Sequence, residues 1–393
     1  MNKIFLSSLA VLMLGSAAYS KALTLYTDPV TGQVFTKGGE GREKMGDFVD
    51  VKTKDKSVKT YAKASKLKFS GLHYLGYVNS KKDGEDRESR FETRRNYLQV
   101  KAYLFDDPKS YMRTTLDTYQ DSDGNWIVRL KYAFLYLNEV LPYTGVEVGQ
   151  VHRPWIDYEE HNGWWMRSIS KVFVEASEGA HLSNSADLGF NFKTKAPYFT
   201  SEIGLFNGEG YHGEESGAGN SLEWRATAAI LGDGKKKRKA VKMSYFDASF
   251  FGQYNMDSSK NDEETYTIYG LHTVYNQPAF LVSAQYVISD NDNEISDTSR
   301  YNGQGFSVNG TFRFGEEKQY SVLARYDNWT AEKTKSGEEY ETDNYIYGAA
   351  WQQNKNVKWL LSGQTYDPKD GKNNKGKDAK KRNDIMLTAE VHW

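Results

Sequence analysis

The sequence predicts an all-β fold, a transmembrane antiparallel β-barrel of sixteen strands. Three observations carry the prediction. The chain opens with an export signal and has no later apolar helix; it is polar overall yet rich in aromatic residues; and short segments alternate apolar and polar side chains up to the last residue.

The signal comes first. Lys3 precedes a mainly apolar run over residues 4–15, and Ala18-Tyr19-Ser20 supplies the small residues of a cleavage site. This is the layout of a secretory signal peptide at residues 1–20, with an apolar run too short to cross a bilayer. The mature chain is expected to start near Lys21. No later stretch approaches the ~18 consecutive apolar residues of a membrane helix.

Composition narrows the class. Hydrophobic residues make up only 38%, yet there are 28 Tyr, 19 Phe and 9 Trp among 393 residues, with 34 Gly and 7 Pro. Disordered chains are poor in aromatics. A barrel with an apolar exterior and a wet interior needs polar residues at half its strand positions, and places Tyr and Trp at the water–lipid boundaries. The absence of cysteine excludes a disulfide framework and thiol chemistry. A net charge of -1 gives no global attraction for ions, so any selectivity must come from local charge placement.

The strands follow from the two-residue period. In residues 126–137, Trp126, Val128, Leu130, Tyr132, Phe134 and Tyr136 fall on one face and Arg129 and Lys131 on the other. Cations in strict alternation with aromatics cannot sit in a dry core without unpaired buried charge; lipid on one side and water on the other resolves this. The pattern repeats over residues 221–231, 303–314, 319–328, 344–353 and 357–366. In the closing segment Ile385, Leu387, Ala389, Val391 and Trp393 oppose Asp384, Met386, Thr388, Glu390 and His392. This strand is expected to pair with a first strand near residues 66–78. From residues 153–183 onward, long and short connections alternate apart from one lengthened basic turn at 232–240, the mark of outer loops and periplasmic turns. That arrangement gives sixteen strands with both termini in the periplasm. Eighteen is the alternative, should residues 166–177 form an extra pair. Residues 21–65 lie outside the ladder. There, Leu25-Tyr26-Thr27 and Val34-Phe35 flank Asp28-Pro29-Val30-Thr31-Gly32 as a small hairpin. They read as an N-terminal periplasmic or barrel-mouth extension, leaving residues 66–393 for the barrel.

Two internal stretches carry a family resemblance. Phe91-Glu92-Thr93-Arg94-Arg95-Asn96-Tyr97-Leu98 opens a strand with a double arginine. A second strand ends in Gly149-Gln150 and turns at Arg153-Pro154 into the long connection 153–183. Together they resemble the phosphate-selective porin O and P family of Gram-negative outer membranes, over roughly residues 66–230. The resemblance implies a homotrimeric sixteen-stranded channel whose third outer loop, here 153–183, folds inward and narrows the pore. It also implies Arg94, Arg95, Arg129, Lys131, Arg153, Arg167 and Lys171 as pore-lining cations. Arginine suits oxyanions because its planar fork donates two parallel hydrogen bonds. The same loop carries Asp157, Glu159, Glu160, Glu175 and Glu178. The constriction is therefore expected to set cations against carboxylates, with Asp157, Glu159 and Glu160 among its lining. The plainer reading of each charge is that it merely solvates a water-facing wall and pairs with a neighbouring strand.

Other motifs weigh less. His181-Leu182-Ser183-Asn184 is similar to the His-x-Ser-Asn signature of outer-membrane phospholipase A, although Ser185 stands where that family has Gly. The basic run Gly232-Asp233-Gly234-Lys235-Lys236-Lys237-Arg238-Lys239 lacks the strand–loop–helix context of a phosphate loop. It reads as a periplasmic turn near headgroups or peptidoglycan. Residues 369–382 read as a mobile basic outer loop facing lipopolysaccharide. The seven histidines show no metal-ligand spacing, and neither a cofactor nor a nucleic-acid partner is expected. The expected function is passive diffusion of small hydrophilic solutes and ions through an outer-membrane porin, with opposed Arg/Lys and Asp/Glu side chains biasing ions. An anion bias would follow from the arginines, and the preference for anions or cations stays open. The alternatives are a lipid hydrolase using His181 and Ser183, or a structural barrel with a plugged lumen.

Overall fold

The computed structural model describes residues 23–31, 33–48, 66–103, 105–213, 219–256, 265–291 and 301–393. The expected signal peptide and residues 49–65 lie outside this set. Within the N-terminal unit, β1 (Leu23–Thr27) pairs antiparallel with β2 (Val34–Phe35) and β3 (Glu43–Phe48) in the order β2-β1-β3. The hairpin between β1 and β2 turns on Asp28, whose Oδ1 accepts the backbone N–H of Val30 at 2.8 Å. The third strand had no signature in the charged stretch that forms it.

The second unit is a closed barrel of sixteen strands. They are β4 (Leu67–Lys82), β5 (Arg87–Ala102), β6 (Tyr111–Gln120), β7 (Trp126–Leu141), β8 (Thr144–His152), β9 (Ala186–Lys195), β10 (Phe199–Phe206) and β11 (Asn220–Leu231). The ring continues through β12 (Tyr245–Met256), β13 (Tyr266–Gln277), β14 (Phe280–Asn291), β15 (Gly303–Phe314), β16 (Tyr320–Glu332), β17 (Glu339–Gln352), β18 (Val357–Pro368) and β19 (Arg382–His392). Each pairs antiparallel with its chain neighbours, and β19 closes on β4 from Arg382↔Lys82 to His392↔Leu72. Closure leaves no unpaired edge, which a bilayer would penalise. Residues 166–177 form no strand, so the eighteen-strand alternative falls. At the seam, Trp393 Nε1 donates to His73 Nε2 at 3.1 Å, and the indole lies over Gly71, where a Cβ would come within 2.2 Å of it.

The exterior is apolar: Leu271, Val308, Val322, Tyr347, Leu361 and Leu387 are all exposed. Alternate positions such as Ser283, Asn309, Arg325 and Thr388 are buried inside. Period-two reading places Val308, Asn309, Val322, Arg325, Tyr347, Leu361, Leu387 and Thr388 correctly because neighbouring strands there are in unbroken register.

Four irregularities break that register around the barrel, and two of them, in β5 and β7, bear on the lumen. Tyr74 pairs with Arg95 and Leu75 with Thr93, so Arg94 is an extra residue in β5. Thr115 pairs with Tyr132 and Leu116 with Leu130, so Lys131 is an extra residue in β7. A bulge lets consecutive side chains share one face and reverses the alternation beyond it. Trp126, Val128 and Leu130 therefore point outward, while Tyr132 and Phe134 are buried. The single apolar face expected for residues 126–137 is thus two half-faces on opposite sides of the wall.

The connection between β8 and β9 folds into the barrel. It starts with a helix, α1 (Pro154–Asn162), which sequence alternation had not suggested. Pro154 at its first position is pre-set for a helix start. Trp155 stacks on Phe251 with ring centroids 3.7 Å apart and planes 3° from parallel. Farther on, Trp164, Met166, Ile169 and Val172 pack with Leu323, Ile346, Leu360 and Met386 of the inner wall. These apolar contacts hold the loop against the β12–β19 side, and the open lumen lies toward β4–β11.

Candidate functional site

Beyond its bulge, β5 turns Arg95, Tyr97, Gln99 and Lys101 inward, and β6 adds Arg113 directly opposite Lys101. Like charges placed opposite each other in a sheet repel. Tyrosines border each of them. The Arg95 guanidinium lies 4.4 Å from the Tyr97 ring and 5.1 Å from that of Tyr74. Arg113 sits 4.4 Å over Tyr132, and Lys101 4.4 Å over Tyr111. Stacking on a ring satisfies the face of a guanidinium and leaves its edge to polar partners; Arg113 directs its edge to Thr115 Oγ1 at 3.1 Å and to His152 Nε2 at 2.9 Å. Among the described residues, Arg95, Lys101 and Arg113 form no ion pair, whereas most other lumen cations do.

The inward loop presents the opposing side. Arg167 is clamped by Glu160 and by both oxygens of Glu175, at 2.6 and 3.1 Å. Burial alone would raise the Glu175 carboxyl, but Arg167 and Lys171 hold it well below the usual range. Asp157 accepts from Lys193 at 3.2 Å, and Lys193 also meets Glu202 at 3.2 Å and Glu147 at 3.6 Å. Arg94 pairs with Glu92 and donates to the carbonyls of Ser168 and Ile169 at 3.1 and 3.2 Å. The second arginine of the pair thus faces open space, and the first ties the loop to the wall.

Two cavities meet at this point. One of about 710 Å³ opens toward the short turns and is lined by Arg95, Lys101, Arg113, Asp157, Glu160 and Lys193. Its mouth holds Lys195 and Lys235–Lys237. The basic turn is therefore folded over the lumen, with Lys235 Nζ 4.2 Å from the Tyr143 ring, rather than laid along the membrane surface. The other cavity, about 510 Å³, opens toward the long loops and is lined by Arg90, Arg94, Arg95, Arg167, Lys171 and Arg382. Arg95 borders both.

Of the residues singled out in the sequence, Arg94, Arg95, Asp157, Glu160, Arg167 and Lys171 line these cavities. Four are placed elsewhere. Arg129 pairs with Asp117 at 3.0 Å. Lys131 is fully buried against Ser185 and the Tyr211 ring. Arg153 is buried between Asp187 at 2.8 Å and Glu223 at 3.0 Å, and also donates to Ser183 Oγ at 2.6 Å. Glu159 points away from the lumen to Gln285, and burial pushes its carboxyl up to about 8. These four fasten the loop and its neighbouring strands. The Ser183 hydroxyl, the candidate nucleophile, thereby serves as an acceptor in the Arg153 latch. Lys101, Arg113 and Lys193 were not singled out, although Lys101 and Arg113 lie at alternate positions with aromatics nearby in β5 and β6.

No protein-family model and no curated protein matches the sequence. Solved structures do. An anion-selective porin from Comamonas acidovorans superposes with a TM-score of 0.60 at 10% identity, over 83% of this chain and 99% of that one. The outer-membrane protein OmpT of Vibrio cholerae gives 0.56 at 12% identity, over 83% and 97%. OmpF of Salmonella typhi, solved with daunomycin, gives 0.56 at 13% identity, over the same shares of 83% and 97%. At such identities the likeness is one of fold, that of a sixteen-stranded bacterial outer-membrane barrel.

Proposed function

We propose that the protein is a passive porin of a Gram-negative outer membrane that favours small anions. The observation that carries this reading is the set Arg95, Lys101 and Arg113, stacked on tyrosines, without an ion pair, at and below the narrowing of the lumen. A free cation in a narrow, weakly screened passage attracts anions more strongly than it would in bulk water. The Lys195 and Lys235–Lys237 mouth continues the positive track toward the short-turn side. The resemblance to phosphate-selective porins extends the reading to inorganic oxyanions, which the forked guanidinium edges suit. Homotrimeric assembly and contact with lipopolysaccharide belong to the same reading.

The test is the reversal potential of the purified, folded protein in a planar bilayer under a KCl gradient. A potential of the sign set by chloride is expected. A cation-signed potential would remove the anion bias while leaving a porin, and a folded barrel without conductance would remove the porin.

A further inference from the structure

We propose that the outer loop between β18 and β19 is a strap that fixes the inward loop, with Asn374 and Arg382 as positioning residues for the pore aperture. This rests on the porin reading.

Residues 369–381 are rich in lysine and, as a free surface loop, would be solvated throughout. Their tip is not. Asn374 is only 6% exposed, and its Nδ2 donates to the carbonyls of Gly179 at 2.9 Å and Ala180 at 3.2 Å on the inward loop. Beside it, Arg382 Nη2 meets Glu178 Oε1 at 2.6 Å. Burial opposes ionisation of Glu178, but Arg382 outweighs it and keeps the carboxyl below its usual range.

The strap is itself moored. Lys369 pairs with Asp343 at 2.8 Å, Lys381 with Asp367 at 3.0 Å, and Lys380 with Glu85 at 3.1 Å. Exposed pairs of this kind contribute little individually, but three on different elements orient one loop. Its positive charge is thus largely engaged within the protein.

What the strap holds is the arm of the inward loop nearest the outer mouth. The other parts of that loop have their own anchors: Trp155 on Phe251, Arg153 on Asp187 and Glu223, and Phe173 against Trp329. Residues 176–178 instead line the 510 Å³ cavity together with Arg382 and Asp384. Releasing Asn374 and Arg382 would free this stretch to move in and out of that cavity. Loop motion of this kind runs on nanosecond to microsecond and slower times, and the slower part is visible as current noise.

The experiment compares wild-type protein with Asn374→Ala and with Glu178→Gln/Arg382→Gln in planar bilayers, after confirming folded barrels by heat-modifiable gel mobility. Single-channel conductance, open-channel noise and the largest neutral polyethylene glycol that enters are measured. Both variants should show noise raised several-fold and a larger size cut-off, with the sign of the reversal potential unchanged. A Glu178→Cys/Arg382→Cys variant, bridged by a short bis-thiol reagent, should return to quiet wild-type behaviour, since the chain has no other cysteine. Folded variants with wild-type noise and cut-off would overturn the strap. If the wild-type barrel itself does not conduct, the porin reading fails instead; bridging yield in the double-cysteine variant then decides the contact, and failure to bridge overturns it.

Discussion

Arg95 is the residue on which the lumen turns, because it alone combines a place in both cavities, stacking on two tyrosines and freedom from carboxylates among the described residues. A unit charge ~4 Å from a passing ion contributes about 1 kcal/mol even at the dielectric of water. Arg95→Gln should therefore lower the anion-to-cation permeability ratio several-fold, read from the reversal potential; an unchanged ratio would assign selectivity elsewhere. Arg129→Gln, which removes a charge already paired with Asp117, should have a smaller effect. Glu159 sets a second residue-level expectation. Its carboxyl is buried and pushed up to about 8 from an ordinary 4.5. Between those values the folded state keeps a proton that the unfolded chain releases, so stability falls as pH rises through this window and levels off above it. The unfolding temperature of the barrel, followed by gel mobility, should fall from pH 5 to pH 8. Glu159→Gln should flatten that slope, and an identical slope in the variant would discount the group.

At the scale of elements, the strands were legible because a wall between lipid and water imposes period two on every one of them. The bulges were not. Arg94 and Lys131 each insert one residue without any local mark, and the consequence, that Tyr132 and Phe134 turn inward, appears only in the register of the neighbouring strand. Gly149 is the nearest thing to a signal: its φ is +123° and an added Cβ would lie 2.3 Å from the Ala133 carbonyl oxygen. Yet a glycine in a strand has many possible reasons. The helix α1 escaped for a different cause. Nine residues with both aromatic and acidic side chains around the cylinder have no clear amphipathic stripe, since one side packs on the wall and the other lines the lumen. The inward folding of the connection 153–183 was expected only from the family resemblance, carried by Gly149-Gln150 and Arg153-Pro154. Which of its charges face the lumen was not legible, because pairings such as Arg153 with Glu223 join residues far apart in sequence. The Trp155–Phe251 stack is the main apolar anchor of α1. Truncating a buried Trp to Ala costs ~3–5 kcal/mol, more than a short helix can lose and stay docked. Trp155→Ala should leave a folded barrel with a larger polyethylene glycol cut-off and higher conductance; a wild-type cut-off would show that the remaining contacts suffice.

For the whole molecule, 51 basic and 52 acidic residues leave almost no net charge, so the proposed attraction of anions cannot come from the field of the protein as a whole. It must come from cations within a few ångströms of the path, and this fixes its dependence on salt. The screening length is about 10 Å at 0.1 M and 3 Å at 1 M. In dilute salt the Arg95–Arg113–Lys101 track and the Lys235–Lys237 mouth act together on an approaching anion, while in concentrated salt each acts only at contact. The anion-to-cation permeability ratio should therefore fall as KCl is raised from ~0.1 to ~1 M. It should stay above one, because the narrowing at Arg95 admits few counter-ions. A ratio independent of salt would instead indicate a dehydrated binding site. In that case millimolar phosphate should block the chloride current with a saturable curve, whereas a diffusive track predicts no saturation in that range. The two outcomes separate a general anion pathway from the oxyanion specificity that the paired arginines at 94 and 95 first suggested.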